Sequence, residues 1–271
     1  MMAWLETLGV IALAVGGAGA GWWFSKLPGR WWLLGYFIPL AVVVAIGCAR
    51  WFTPLAFIAP FSWLVAGRTA FALFALLGPL LLTTPMRRLN GMRLRWLVAI
   101  FGGLIVVHYS LFPFLFPALT RNALLALKTR VDGDGICLQS NDYCCGPAAS
   151  VTALRRLGFS AEEGELAVLM HTSAVAGTPG DILARALQKK YGPLGLLCEY
   201  RWFKDLSELK RSGLTIAQIK YDFWVDHYVT VLEVNDREII VGDPVSGISS
   251  YSPDEFKKKW RFCGIVCGTA R

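Results

Sequence analysis

The sequence predicts two unlike halves: a bundle of about four transmembrane helices over residues 1–120, followed over residues 121–271 by an α+β domain of helices and a mostly antiparallel sheet. Three observations predict this. The chain of 271 residues is 55% hydrophobic, and its mean hydropathy of +0.49 exceeds the range of ordinary soluble domains. Its charge is divided: residues 1–120 hold eight Lys/Arg against the single acid Glu6 and the remainder holds nineteen against eighteen, so the net +8 falls as +7 and +1. Finally, the texture after Arg121 changes to short capped elements, helical patterns first and strand patterns after, which is the order of an α+β domain. A basic excess confined to loops between apolar runs is what lipid-facing topology produces, and it gives no reason to expect a nucleic-acid partner.

Four apolar runs lie in the first half, at about Leu5 to Phe24, Trp31 to Ala49, within Phe57 to Leu82, and Trp96 to Phe116. Each approaches the roughly 20 residues that a helix needs to cross a bilayer core. The third contains Arg68 and is bent or tilted if it begins at Phe57. Trp22, Trp23, Trp31 and Trp32 sit where an interfacial aromatic belt would place them. The opening "MMAWLET" lacks the positive segment of a secretory signal, so the first run reads as a retained anchor. Lys26, Arg30, Arg87, Arg88, Arg93 and Arg95 fall in the first and third loops, against Arg50 in the second. The positive-inside bias then puts those two loops in the cytoplasm, and both the N-terminus and residues 121–271 outside it. Arg68 and His108 are ionisable groups within the runs. A snorkelling Arg and a His satisfied by a neighbouring helix account for them more simply than a transport path does. No GxxxxGK[ST] segment occurs, so the sequence contains no P-loop.

In the second half "KTRVDGDG" reads as a connector. Gly146 to Leu157 is a helix opened by Pro147, Ser160 with Glu163 forms a capping-box pattern for a second helix, and Thr178 with Pro179 opens a third running to about Tyr191. "GLLCEYRWF", "LTIAQIKY", "HYVTVLEV" and "EIIVGDP" read as strands, the last two joined by "NDR" as a hairpin.

The segment "QSNDYCCGPAAS" raises the question of which thiol, Cys144 or Cys145, is a nucleophile. A cysteine attacks as thiolate, which a helix N-terminus and a histidine partner favour. Cys145 directly precedes the Gly-Pro that starts a helix, whose first amides can face an oxyanion, with Gly146 allowing close backbone approach. Cys144 is farther from those amides and, if locally extended, points the other way. Among the histidines, His108 is in a membrane run and His171 ends the second helix, where a dipole or capping role is commoner. His227 begins a strand that should be central. Asp243, at the end of the next strand, is well placed to orient its far nitrogen, whereas Asp226 and Asp222 are too near in sequence to turn back easily.

These residues coincide with a known pattern. "QSNDYCCGPAAS" resembles the active-site segment of the bacteriocin-processing cysteine peptidases, the papain-like double-glycine leader peptidases of family 39, in which a glutamine precedes the cysteine by six positions, as Gln139 precedes Cys145. "DHYVTVLEVNDREIIVGDPVSG" is similar to the family's His segment, with Asp sixteen positions after His, as Asp243 follows His227. "AVAGTPGDILARALQKKYG" and "SPDEFKKKW" resemble its intervening helix and closing helix. The resemblance spans about residues 135–268. It implies a papain-like peptidase domain with Cys145 as nucleophile, His227 as general base, Asp243 as its orienter and Gln139 in the oxyanion hole. It also implies a peptide or protein substrate, thioester chemistry and cleavage after Gly-Gly. Cys144 departs from the acidic residue or Asn common at its position. No transporter or ATPase segment follows, so a transporter would be a separate partner.

Other acyl transfer on the same fold (an amidase or transglutaminase), a catalytically silent peptide-binding module, and a channel regulated by the outer domain are the competing readings, in that order. Cys263 and Cys267 stand about 13 Å apart if extended, too far for a disulfide. Cys144, Cys137 and Cys198 are candidates for pairing in an oxidising space, although buried free thiols are commoner. No closely spaced Cys pair suggests zinc, so neither a structural metal nor a cofactor is expected.

Overall fold

The computed structural model describes residues 2–222 and 225–270, and the chain divides into two compact units, Met1–Leu119 and Thr120–Arg271.

The first unit is helical. α1 (Met2–Ser25) is followed by a 3-10 turn, Trp31–Leu33, that leads into α2 (Leu34–Trp51). The third apolar run is not one helix: it forms α3 (Phe61–Val65) and α4 (Thr69–Thr83), interrupted around Gly67, whose φ is +53°. α5 (Met92–Val106) continues through a π-helical turn, Val107–Leu111, into α6 (Phe112–Leu119). Among the described residues three helices are long and apolar enough to span, Trp4–Ser25, Trp31–Trp51 and Met92–Leu119. At 15 residues α4 rises only about 22 Å. The expected four runs are therefore three full-length helices and one shorter one.

α1 and α4 run parallel with their backbones in close approach. A Cβ on Gly17 would lie 1.9 Å from the Leu76 carbonyl oxygen, and one on Gly21 would lie 2.3 Å from that of Leu80. Small residues four apart let two helices meet at this distance. At the end where α1 and α4 finish, the Arg88 guanidinium donates to the Ser25 and Leu27 carbonyls at 2.7 and 3.1 Å. The loops carrying Lys26, Arg30, Arg87 and Arg88 thus share one end of the unit. At the other end Arg68 is buried, pairs with Glu6 at 2.5 Å, donates to the Pro113 carbonyl at 3.1 Å and lies over the Phe114 ring. Arg68 ties the start of α4 to α1 and α6. His108 is exposed on the π-turn beside Tyr109 and Phe112 of its own helix.

The second unit opens with α7 (Arg121–Leu125) and a small hairpin, β1 (Arg130–Val131) and β2 (Cys137–Leu138). The segment read as a connector forms β1 and the turn of this hairpin. Asp132 Oδ1 accepts from the amides of Asp134 and Ile136 at 3.0 and 2.8 Å, which closes the turn locally. There follow α8 (Cys145–Arg156), α9 (Glu163–Leu169), α10 (Gly180–Tyr191), β3 (Leu196–Trp202), α11 (Leu206–Ser212), β4 (Thr215–Asp222), β5 (Val225–Val234), β6 (Ile239–Asp243), β7 (Gly247–Tyr251), α12 (Pro253–Lys259) and β8 (Trp260–Thr269). Six strands form one antiparallel sheet in the order β3-β8-β4-β5-β6-β7. β5 is internal, as expected for "HYVTVLEV", and it makes a hairpin with β6.

Side chains alternate across the sheet and build a core on each face. Ile216, Tyr228 and Ile265 pack with α8 and α10, through residues such as Ala149, Leu154, Leu183 and Leu187. Ala217, Val229 and Val241 pack on the other face with Leu209 of α11 and Phe256 of α12, around Phe203 and Trp260. α12 is closed by a complete capping box between Ser252 and Glu255.

Two expected caps are absent. α9 begins at Glu163 after Glu162, with no side-chain cap from Ser160. α10 begins after Pro179, while Thr178 is buried and shares a hydrogen bond of 2.7 Å with Thr172. In both cases tertiary burial takes the group that local spacing assigns to a cap.

Candidate active site

α8 is the element on which the site rests, and Cys145 through Leu154 are all buried. A helix so enclosed needs its polar groups satisfied internally. Ser150 Oγ returns to the Gly146 carbonyl at 2.8 Å, and Thr230 Oγ1 of β5 donates to the Ala149 carbonyl at 2.9 Å, pinning helix to sheet. Gly146 has a packing role: a Cβ there would lie 3.0 Å from Thr178 Cβ and 3.3 Å from Leu183 Cδ1. The close neighbour that requires glycine is therefore the start of α10.

Cys145 is the first residue of α8, where the helix's free amides converge. Cys144 is fully buried with Leu124 and Ala167, and its thiol is pushed up to about 12, first by burial and then by the negative charge of Glu163. Such a thiol stays protonated and unreactive.

His227 Nε2 lies 2.8 Å from Asp243 Oδ1, and both side chains are buried. His227 lies near the start of β5 and Asp243 ends β6, so the antiparallel hairpin brings imidazole and carboxylate together at one end of the two strands. Asp243 Oδ1 also accepts from the Val245 amide at 2.8 Å. Burial works against its charge, but hydrogen bonds from His227 and Val245 and the nearby imidazole hold the carboxyl below the usual carboxylate range. Burial likewise disfavours a charged imidazole at His227. The bond to Asp243 and the contact with Cys145 outweigh it, raising the ring to about 9. With Nε2 given to Asp243, Nδ1 is the nitrogen left for the thiol. Asp226 does not compete for the ring, because it accepts from Arg261 Nε at 2.7 Å and Gln218 Nε2 at 3.0 Å. Tyr221 lies beside the ring, centroid to centroid 5.1 Å.

Gln139 is held by its backbone. Its amide donates to the Pro244 carbonyl at 2.8 Å, directly beside Asp243, and its carbonyl accepts from Arg130 at 3.2 Å. Next to it, the Cys137 amide donates to Thr152 Oγ1 of α8 at 2.9 Å. The Gln139 side-chain oxygen is buried without a hydrogen-bond partner. A buried acceptor left so costs about 1–3 kcal/mol.

One contributor was not foreseen. Glu163 is fully buried and accepts from the Ser140 amide at 2.8 Å and from its hydroxyl at 2.6 Å, fixing the loop between Gln139 and Cys145. Its own amide donates to Thr129 Oγ1 at 2.8 Å. The signal was present in the spacing: Glu163, Leu166, Ala167 and Met170 share a helix face, and all four are buried. His171 follows α9 in a left-handed conformation, and His108 belongs to the first unit. Among the described residues no three His, Cys, Asp or Glu side chains cluster as metal ligands would.

Residues 135–270, half of the chain, match the model of the peptidase C39 family. The chain belongs to that family. Its domain is accordingly a papain-like cysteine peptidase fold. A curated relative from Methanothermobacter marburgensis, an uncharacterized protein, is 35% identical over 132 residues, covering 49% of this chain and 87% of the relative. An uncharacterized protein of Methanothermobacter thermautotrophicus is 29% identical over 124 residues, 46% and 81% of the two chains. Among solved structures, the chain is similar to the peptidase domain of Streptococcus ComA, described as a bifunctional ABC transporter involved in quorum sensing. That match has 20% identity, covers 49% of this chain and 96% of that one, and has a TM-score of 0.44. It is also similar to a double glycine motif protease from an AMS/PCAT transporter in complex with the leader peptide, at 15% identity, 54% and 96% coverage and a TM-score of 0.43.

Proposed function

We propose that this C39 family member is a membrane-anchored cysteine peptidase in which Cys145, His227 and Asp243 form the catalytic triad and Gln139 contributes to the oxyanion hole. The observation that carries the reading is the His227 ring placed between a buried carboxylate and the thiol at the head of α8. His227 takes the Cys145 proton at Nδ1 while Asp243 holds Nε2, and the thiolate attacks a peptide carbonyl. The oxyanion receives hydrogen bonds from the Gln139 side-chain amide and an amide at the α8 N-terminus. The protonated imidazole gives its proton to the departing amine, leaving a thioester at Cys145. Water, deprotonated by His227, hydrolyses it and restores the thiol.

The substrate class is a peptide, and leader peptides ending in Gly-Gly are the first to test, by analogy with the double glycine motif protease. A transporter is the partner this suggests. Support for anchoring is the set of three apolar helices of spanning length.

The test is site-resolved alkylation of the full chain in detergent micelles, read by peptide mass spectrometry across pH. Cys145 is expected to react well below the pH at which free thiols do, while Cys144 stays unlabelled, and His227→Ala is expected to abolish the advantage. An ordinary thiol profile at Cys145, indifferent to His227, would remove the catalytic reading and leave a peptide-binding module.

A further inference from the structure

Outside the site, Cys198 and Cys267 face each other across β3 and β8, paired in register with their sulfurs 3.5 Å apart. Neither backbone amide bonds to the opposite cysteine. The Cys198 N–H goes to Gln188 Oε1 and the Cys267 N–H to the Leu214 carbonyl, each at 2.8 Å. They are thus a non-hydrogen-bonded antiparallel pair, the type in which Cα atoms approach to about 4.5 Å, within the range a disulfide bridges. Nothing else on this part of the sheet needs two thiols. Cys267 is buried, whereas Cys198, on the edge strand, is only partly buried.

We infer that Cys198 and Cys267 are a redox modification site, closing to a reversible cross-strand disulfide that fastens the edge strand β3 to β8. The oxidant is another disulfide, either a small molecule or a thiol–disulfide oxidoreductase. Cys198, the accessible residue, attacks as thiolate. One sulfur of the oxidant joins it and the other leaves as a thiolate that takes up the proton Cys198 lost. The hydrogen bond to Cys198 and burial push the Cys267 thiol up, so it remains protonated until this mixed disulfide stands next to it. Its sulfur then attacks Cys198 Sγ, its proton passing to the second departing thiolate. Two thiols and one disulfide become one cystine and two thiols, with two electrons delivered to the oxidant.

The bond closes the chain from 198 to 267, which contains β4 to β8 and both His227 and Asp243. Restraining a loop of that length in the unfolded chain raises thermal stability by roughly 5–15 °C for a domain of this size.

The experiment uses the full chain in detergent micelles with Cys145→Ser, so that exchange through Cys145 does not intrude. The protein is exposed to oxidised glutathione, the remaining thiols are alkylated, and the digest is analysed by mass spectrometry. A linked peptide pair containing Cys198 and Cys267, separated again by dithiothreitol, is expected, with a rise in melting temperature that Cys198→Ala abolishes. Any of three results overturns the inference: both cysteines still alkylated, glutathione retained on Cys198 beside a free Cys267, or a bridge joining different residues.

Discussion

At the scale of single residues, protonation decides what this site can do. His227 is raised to about 9 and Asp243 is lowered, and the two shifts act on opposite sides of neutrality. The stability that His227 gains from its partners is fully present below its unfolded value of about 6.5 and is lost as the pH rises through about 9. That of Asp243 is present above about 4 and is lost as the pH falls through its depressed folded value. Peptide hydrolysis needs the imidazolium as proton donor to the leaving amine, so kcat/KM is expected to fall on an alkaline limb near 9. In Asp243→Asn the ring loses its strongest partner for the charged form, and the limb is expected to move to lower pH with a large fall in rate. A pH–rate series on wild type and variant checks this. A limb that stays in place would mean that Asp243 does not govern His227.

At the scale of elements, α8 is aimed by what surrounds its first turn. The loop from Gln139 to Cys145 crosses between β2 and α8, and the buried Glu163 at the start of α9 fixes it through Ser140. In Glu163→Gln the acceptor for at least one of those two bonds is lost. The domain is expected to lose about 1–3 kcal/mol, and kcat to fall more than KM changes because the Gln139 carboxamide loses its setting. Denaturant melts and steady-state kinetics read the two effects separately; a stability loss with unchanged kcat would confine Glu163 to a structural role. The helices and strands themselves were legible in sequence, because apolar periodicity and Gly-Pro punctuation are local signals: α8, α10 and the β5–β6 hairpin fall where the spacing puts them. Caps at Ser160 and Thr178 were misread for the converse reason. Burial of Glu163 and Thr178 is set by α7, α8 and α10, which no local pattern reports. The cysteine pair at 198 and 267 was likewise invisible, since register between the first and last strands of the sheet is a long-range property.

At the scale of the whole molecule, the charge partition can be set against the geometry of the helical unit. Both basic loops lie at one end, joined by Arg88 to the Ser25 and Leu27 carbonyls, while Glu6 and Pro113 are brought to the other end by Arg68. The first turns of α1 and of α6 therefore lie at the same end of that unit. If the basic end obeys the positive-inside bias, residue 120 emerges on the non-cytoplasmic side even though α4 is short. A topology reporter fused after residue 200 is expected to give an extracytoplasmic signal, and one placed in the Arg87–Arg95 loop a cytoplasmic signal. That location also supplies the oxidising conditions in which Cys198 and Cys267 would stand closed. A cytoplasmic signal at 200 would reverse both expectations together: the C39 domain would face the reducing side, and the pair would rest as thiols except under oxidative challenge.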